Sequence, residues 1–146
     1  MLTLGDLGIV REVREGDDGV VVTITPTYSG CPAMDAIRDD ILRALRLAGF
    51  ARASVRTVLT PAWTTDWVSD AGRVKLAAAG IAPPGPAPRR AAGPVPLVLG
   101  LRAEPVACPQ CGSSATELVS AFGATACREL RRCPDCREPF EHVKEI

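Results

Sequence analysis

Two pairs of cysteines, each with two residues between its members, constrain this chain more than any other feature. The pairs are CPQC at 108–111 and CPDC at 133–136. A C-x-x-C turn points two sulfur atoms at one centre, and two such turns close a tetrahedral shell of four sulfurs. Such a shell is typical of structural Zn²⁺ and leaves no open position for catalysis. The predicted metal ligands are therefore Cys108, Cys111, Cys133 and Cys136.

The alternatives to zinc at this site are iron, which an all-thiolate set also holds, and two disulfides or free thiols. Disulfides are typical of secreted proteins, but the first residues of the chain lack the basic and apolar pattern of a signal peptide. No apolar run approaches the roughly 18 residues of a membrane span. The pattern favours a bound metal in a reducing, cytoplasmic compartment, away from the membrane.

Two more side chains lie near the cysteine pairs. We expect Cys127 to pack as a small residue inside the module, and the alternative is a substitute metal ligand. His142 is the only histidine, and we expect a surface or strand position for it rather than a ligand role.

The charge of the cysteine-rich part weighs against nucleic acid as a partner. Residues 108–146 contain five Lys or Arg and six Asp or Glu, whereas contact with phosphates requires a positive face. The whole chain is also balanced, with 17 basic and 17 acidic residues. Contacts with other proteins are therefore expected.

Prolines divide the chain. Six of the 13 prolines fall within residues 83–96, where fixed φ angles and missing N–H groups disfavour a helix or a central strand. We expect an α+β domain over 1–81, a linker rich in Pro, Ala and Gly over 82–101, and a zinc ribbon over 102–146. A module as small as the last one needs a metal or disulfides, because its core is thin.

The first domain is predicted to have the element order β-β-α-β-α, which gives a small sheet covered by helices. Runs rich in β-branched residues indicate strands at 8–15, 19–25 and 52–59. The first two strands are separated by a Gly-Asp-Asp turn signal and form a hairpin.

Two helices are predicted in this domain. Apolar residues recur at spacings of three and four over 32–48, where Pro32 suits the first helical position. The second helix is expected at 70–79, with Ser69 as its N-cap and Gly80 as its terminator.

Cys31 stands between Ser29-Gly30 and Pro32, at the predicted start of the first helix. The partial positive charge of a helix N-terminus favours a thiolate, which suits a nucleophile or a ligand for a metal or cluster. The alternative is a small buried residue at a corner, because free cysteine is among the most buried residue types. From the residues alone, both interpretations stay open.

The two tryptophans, Trp63 and Trp67, lie in PAWTTDW. One interpretation is that they cover the edge of the sheet or the linker. The other is a partner contact, because tryptophan is enriched in binding hot spots.

Several of these segments together resemble one family. DLGIVREV at 6–13, YSGCPAMDAI at 28–37 and TPAWTTDW at 60–67 look like the PaaD family, and the likeness continues through CPQCGS, FGATACREL and CPDCREPFEHVK. This family is the accessory subunit encoded with the multicomponent phenylacetyl-CoA epoxidase of aerobic phenylacetate degradation. The resemblance implies a bacterial, cytoplasmic protein with a first domain similar to iron–sulfur cluster assembly factors, fused to a zinc ribbon.

The resemblance also implies a role for Cys31. In related cluster-assembly domains the cysteine of the Ser-Gly-Cys-Pro turn is the reactive residue, so Cys31 would be a reactive thiol or a transient cluster ligand. Family members usually carry an Asp-Pro-Glu segment ahead of the Asp-Leu-Gly-Ile-Val motif, and the five residues before Asp6 contain no counterpart of it.

The function implied is that of a non-catalytic protein with structural zinc. It would help to place an iron–sulfur cluster or iron in the reductase or oxygenase component of the epoxidase, its expected partners. Ring epoxidation needs a di-iron site of carboxylates and histidines, which a chain with one histidine cannot build. The alternatives are a stable structural subunit of the complex and a thiol-dependent enzyme.

Overall fold

The computed structural model describes residues 1–88 and 105–146 of the 146-residue chain. The chain divides into two compact units, Met1–Gly72 and Arg73–Ile146. Along the described residues, the strands and α-helices are β1 Val10–Gly16, β2 Gly19–Ile24, α1 Met34–Leu47, β3 Ala53–Thr57, α2 Asp70–Ala78, β4 Ile81–Ala82, β5 Glu117–Ser120, β6 Arg128–Arg132 and β7 Pro139–Val143. The predicted α+β class and the order β-β-α-β-α are confirmed.

The first unit contains a three-stranded sheet in the order β1-β2-β3. β1 and β2 form an antiparallel hairpin in which Gly16 pairs with Gly19. β3 lies parallel to β2 on its other side, and parallel neighbours need a crossover connection, which α1 provides. β2 is therefore the central strand, and the chain leaving it leads directly to Cys31.

The helix α1 covers one face of this sheet because its apolar residues form a single stripe. The buried core of the unit consists of Ile9, Val20, Val22, Ile24 and Ile41, with Met34, Ile37 and Leu45 packed against it. Residues from both β2 and α1 belong to this core, so the core fixes both ends of the segment that carries Cys31.

The helix α2 has the predicted signals at its two ends. Ser69 Oγ accepts a hydrogen bond from the Gly72 N–H at 2.9 Å. Gly80 has a φ of 74°, which suits glycine after a helix. Among the described residues, no helix combines the length and apolar character needed to cross a lipid bilayer.

The second unit contains a four-stranded sheet in the order β4-β7-β6-β5. β5, β6 and β7 are antiparallel neighbours, whereas β4 pairs in parallel with β7. The core is small and consists of Ala82, Val106, Cys108, Cys133 and Phe140. Because two of these five residues are cysteines, the predicted metal ligands themselves occupy much of the interior.

Several boundaries differ from the predictions: β1 begins at Val10 rather than at residue 8, and β3 ends at Thr57 rather than at residue 59. α1 begins at Met34 rather than Pro32, because the Met34 N–H donates to the Cys31 carbonyl oxygen at 3.4 Å and closes a turn before the helix. Ala82, which we expected in the linker, lies in β4 opposite His142. Pro83 ends this strand because it has no N–H to donate.

The predicted linker falls only in part on described residues. Residues 83–88 are described and belong to no strand or helix, while 89–101 lie outside the described residues. The division into a domain over 1–81, a linker and a ribbon over 102–146 stays a prediction.

Candidate metal centre and the Cys31 loop

The four cysteines predicted as metal ligands come together where β5 begins and β6 ends. Their sulfur atoms all lie within 4.8 Å of one another. The Sγ atoms of Cys108 and Cys136 are 3.6 Å apart, as are those of Cys111 and Cys133. A tetrahedral zinc with Zn–S bonds of about 2.3 Å separates its sulfurs by about 3.8 Å, whereas a disulfide bond is about 2.05 Å long. The spacing therefore fits a metal shell and not two disulfides.

The two C-x-x-C turns have the same pattern of backbone hydrogen bonds. The Gly112 N–H donates to the Cys108 carbonyl oxygen at 2.9 Å, and the Arg137 N–H donates to that of Cys133 at 2.8 Å. Gly112 and Arg137 both have a positive φ, of 77° and 66°. Each cysteine pair is therefore held by a turn of one kind, although only the first has the glycine that this conformation favours.

Backbone N–H groups in the second turn lower the pKa values of its cysteine thiols. The Cys136 N–H lowers the pKa of the Cys133 thiol to about 7. The Glu138 N–H lowers the pKa of the Cys136 thiol, but burial and the three neighbouring sulfurs outweigh it and raise that pKa to about 12.

The donor set indicates which metal would fit. Sulfurs this close cannot all carry negative charge unless a cation lies among them, because like charges disfavour ionisation. Zn²⁺ is bound by four thiolates in closed structural sites and supplies that charge. The donors therefore fit zinc, held by Cys108, Cys111, Cys133 and Cys136.

Cys127 and His142 lie outside this shell. The sulfur of Cys127 contacts Thr125 Oγ1 at 3.0 Å, and the shell of close sulfurs does not include it. His142 lies in β7, one of the two positions expected for it, but it is only 2% exposed. A signal for this burial exists in the sequence, because alternation in a strand puts His142 on the same face as Phe140.

Cys31 lies in the turn before α1 rather than in the first turn of the helix. Its N–H donates to the Tyr28 carbonyl oxygen at 3.3 Å. The thiol residue is half-buried, and Ser29 and Gly30 beside it are exposed. The N-cap residue Ala33 makes no side-chain hydrogen bond to the helix, so no N-cap side chain satisfies the first N–H groups of α1.

Both tryptophans make contacts inside the first unit. Trp63 is 4% exposed, and its Nε1–H donates to the Leu7 carbonyl oxygen at 3.0 Å. The ring of Trp67 is half-buried, with the Arg11 guanidinium carbon 3.4 Å from its centroid. Trp63 exposes too little surface for a partner contact, so that prediction now depends on Trp67.

Two protein-family models match the chain. Residues 2–57 match a family described as "Iron-sulfur cluster assembly protein". Residues 92–144 match one described as "PaaD zinc beta ribbon domain". The first match contains Cys31, and the second contains all four cysteines of the metal centre.

Individual proteins resemble the chain over its whole length or its first half. A protein of Escherichia coli (strain K12), named as a subunit of a "Putative 1,2-phenylacetyl-CoA epoxidase", is 43% identical over 146 residues, which are all of this chain and 83% of that protein. A "Fe-S protein maturation auxiliary factor" of Porphyromonas gingivalis (strain ATCC BAA-308 / W83) is 33% identical over 73 residues, 49% of this chain and 70% of its own length. The "Fe-S protein maturation auxiliary factor YitW" of Bacillus subtilis (strain 168) is 34% identical over 73 residues, 49% of this chain and 72% of its own length.

Proposed function

This chain belongs to the PaaD family, and we propose that it is a non-catalytic accessory protein of a multicomponent phenylacetyl-CoA epoxidase. The observation that carries the proposal is its full-length similarity to the Escherichia coli protein named as a subunit of that epoxidase. We further propose that it helps to place an iron–sulfur cluster or iron in the reductase or oxygenase component. The similarity of its first half to factors named for Fe-S protein maturation supports this role.

In this proposal Cys31 is the transient ligand of the iron or cluster being transferred. Its thiol is half-buried beside an exposed Ser29-Gly30 pair, which gives a metal room to approach. A carrier must release its cargo, and one thiolate holds iron less firmly than a closed shell of four.

The zinc centre has a structural role in this proposal. Its four sulfurs close the coordination shell, so no position remains for a substrate or a transferred iron. The ribbon and Trp67 would then serve as contact surfaces for the epoxidase components. None of the six cysteines forms a disulfide, which supports the reducing cytoplasm of a bacterium as the compartment that we propose.

The test is to produce the epoxidase components together with wild-type protein or with a Cys31→Ala variant. We expect the variant to fold and to retain its zinc, while the epoxidase components contain less iron or cluster and are less active. Cys127→Ala is the matched control, because it also removes a half-buried thiol outside the metal shell. Fully metallated, fully active epoxidase made with Cys31→Ala would overturn the role of Cys31.

A second candidate is a stable structural subunit, which the word "subunit" in the name of the Escherichia coli relative favours. Such a subunit would co-purify with the oxygenase in a fixed ratio, and the Cys31→Ala substitution would leave epoxidase activity unchanged. An assembly factor would be absent from the mature complex. Quantitative mass spectrometry of the purified epoxidase therefore separates the two functions.

A further inference from the structure

A group of charged side chains surrounds a buried histidine in the second unit, outside the cluster of four sulfurs. His142 of β7 is 2% exposed, and its Nδ1 lies 2.9 Å from Glu129 Oε1 of β6. Its Nε2 lies 3.3 Å from Glu145 Oε1, which belongs to the segment after β7. Glu129 Oε1 also accepts a hydrogen bond from Arg131 Nη1 at 3.4 Å. Each ring nitrogen of the histidine therefore faces a carboxylate.

This arrangement requires a doubly protonated imidazole. A neutral imidazole has one N–H donor and one lone pair, whereas an ionised carboxylate only accepts. With neutral His142, a nitrogen lone pair would face a carboxylate oxygen, and the buried ring has little access to water that could separate the two. With charged His142, both carboxylates accept hydrogen bonds, and two cations balance two anions.

Glu145 extends the group to a different part of the chain. Its Oε1 accepts a hydrogen bond from the Gly85 N–H at 3.0 Å. Gly85 lies in the segment that follows β4, between Pro84 and Pro86. Since prolines have no N–H, the Gly85 amide is the one backbone donor in this triplet. The position of Glu145 therefore decides whether that donor is satisfied.

We propose that His142 is a pH-sensitive latch: when protonated, it joins β6 to the segment after β7 and, through Glu145, fixes the chain at Gly85. Loss of the proton removes the donor that orients Glu145. Glu145 can then turn to solvent and release the Gly85 amide. The latch acts within the second unit and involves none of the four clustered sulfurs and not Cys31.

Arg131 is the second cation in the ion pairs around His142. Two further cations on neighbouring segments bind backbone carbonyl oxygens instead, Arg73 that of Pro84 and Lys144 that of Ala126. β6 contributes Glu129 and Arg131, and the segment after β7 contributes Glu145. β4 and the segments 83–86 and 105–107 that line a cavity of about 340 Å³ beside His142 carry no charged or titratable side chain. The charge of this site thus depends on His142 alone in the neutral pH range.

The pKa values agree with the geometry. Burial lowers the pKa of His142, but hydrogen bonds to Glu145 and Glu129 outweigh it, so the pKa lies above its ordinary value. The hydrogen bond from His142, opposed by burial and assisted by the Gly85 N–H, lowers the pKa of Glu145 to about 2. Glu145 is therefore ionised throughout the range in which His142 titrates.

The single histidine makes the test direct. The zinc-loaded, full-length protein is labelled with ¹³C-histidine and ¹⁵N, and its spectra are recorded as the pH is raised. We expect the midpoint of His142 to lie above the ordinary value of about 6.5, and the Gly85 amide to lose protection from hydrogen exchange at the same midpoint. Glu145→Gln should lower the His142 midpoint and abolish the pH response of Gly85.

Glu117→Gln is the control, because it removes an exposed carboxylate of the same unit that pairs with Arg132 instead. It should leave both responses unchanged. The latch would be overturned if the titration midpoint of His142 lay at or below the ordinary value of about 6.5. It would also be overturned if the hydrogen-exchange protection of the Gly85 amide did not change as His142 titrates. If Glu145→Gln fails to fold, the wild-type titration still decides between these outcomes.

Discussion

The indole Nε1–H of Trp63 donates to the carbonyl oxygen of Leu7 at 3.0 Å, although 55 residues separate the two in the chain. This bond ties the segment before α2 to the segment before β1. The donor, Trp63, is buried and the bond is partly shielded from solvent, so water replaces a lost donor there only incompletely.

We therefore expect Trp63→Phe to destabilise the first unit by about 1–3 kcal/mol. Trp67→Phe is the matched comparison, since it keeps an aromatic face beneath the Arg11 guanidinium and should cost less than about 1 kcal/mol. Urea unfolding followed by circular dichroism measures both. Equal costs for the two variants would contradict the role given to the Leu7 hydrogen bond.

The metal centre gives the second prediction. The purified protein should contain about one zinc per chain, and Cys133→Ser should abolish zinc binding and unfold the second unit while the first remains folded. Cys127→Ser should retain both metal and fold, because its sulfur lies outside the shell. Elemental analysis and heteronuclear NMR spectra provide the readouts. Full zinc content in Cys133→Ser would show that the ligand set is wrong.

The third prediction concerns Arg137, whose φ of 66° is one that glycine adopts without steric cost. Arg137→Gly should stabilise the second unit by up to about 1 kcal/mol. Gly112→Ala, which places a side chain at the equivalent position of the first turn, should destabilise it by a similar amount. Thermal unfolding of the zinc-loaded protein measures both, and a loss of stability in Arg137→Gly would refute this interpretation of the turn.

The fourth prediction concerns the pH dependence of stability in the second unit. Since the pKa of His142 is raised on folding, its contribution is complete below the unfolded value of about 6.5 and disappears as the pH rises through the folded pKa. The difference in unfolding free energy between wild type and Glu145→Gln should therefore shrink from pH 6 to pH 9. Urea unfolding with zinc in excess measures this free-energy difference at each pH. A difference that grows with pH would contradict the prediction.

Features set by local patterns could be predicted from the sequence. The C-x-x-C spacing predicted that the four cysteines come together, as their sulfurs do, because two cysteines at that separation share one turn. The apolar stripe predicted over 32–48 likewise depends only on helical period, and Ile37, Ile41 and Leu45, spaced four apart, do lie in or against the core. The start of α1 was placed too early because the turn at Cys31 is closed by a backbone hydrogen bond to Met34, and no residue type signals that bond.

Features set by distant contacts could not be predicted in the same way. β4 has two residues, too few to show a strand pattern, and it exists because β7 pairs with it. The charges around His142 converge from β6, β7 and the segment after β7, and spacing along the chain does not reveal that convergence. Arg137 has no glycine to mark its positive φ, so only the backbone shows that the two cysteine turns are alike.

The parallel pairing of β4 with β7 also sets the order in which the two sheets can form during translation. The three strands of the first sheet emerge from the ribosome before β4 does, so this sheet can form early, whereas β4 must wait for β7, the last strand described. Capture of the metal belongs to the same late stage, because Cys136 emerges only shortly before β7. A nascent chain halted between β6 and β7 would thus carry a complete first sheet, a β4 without its neighbour and cysteine thiols open to any soft metal in the cell.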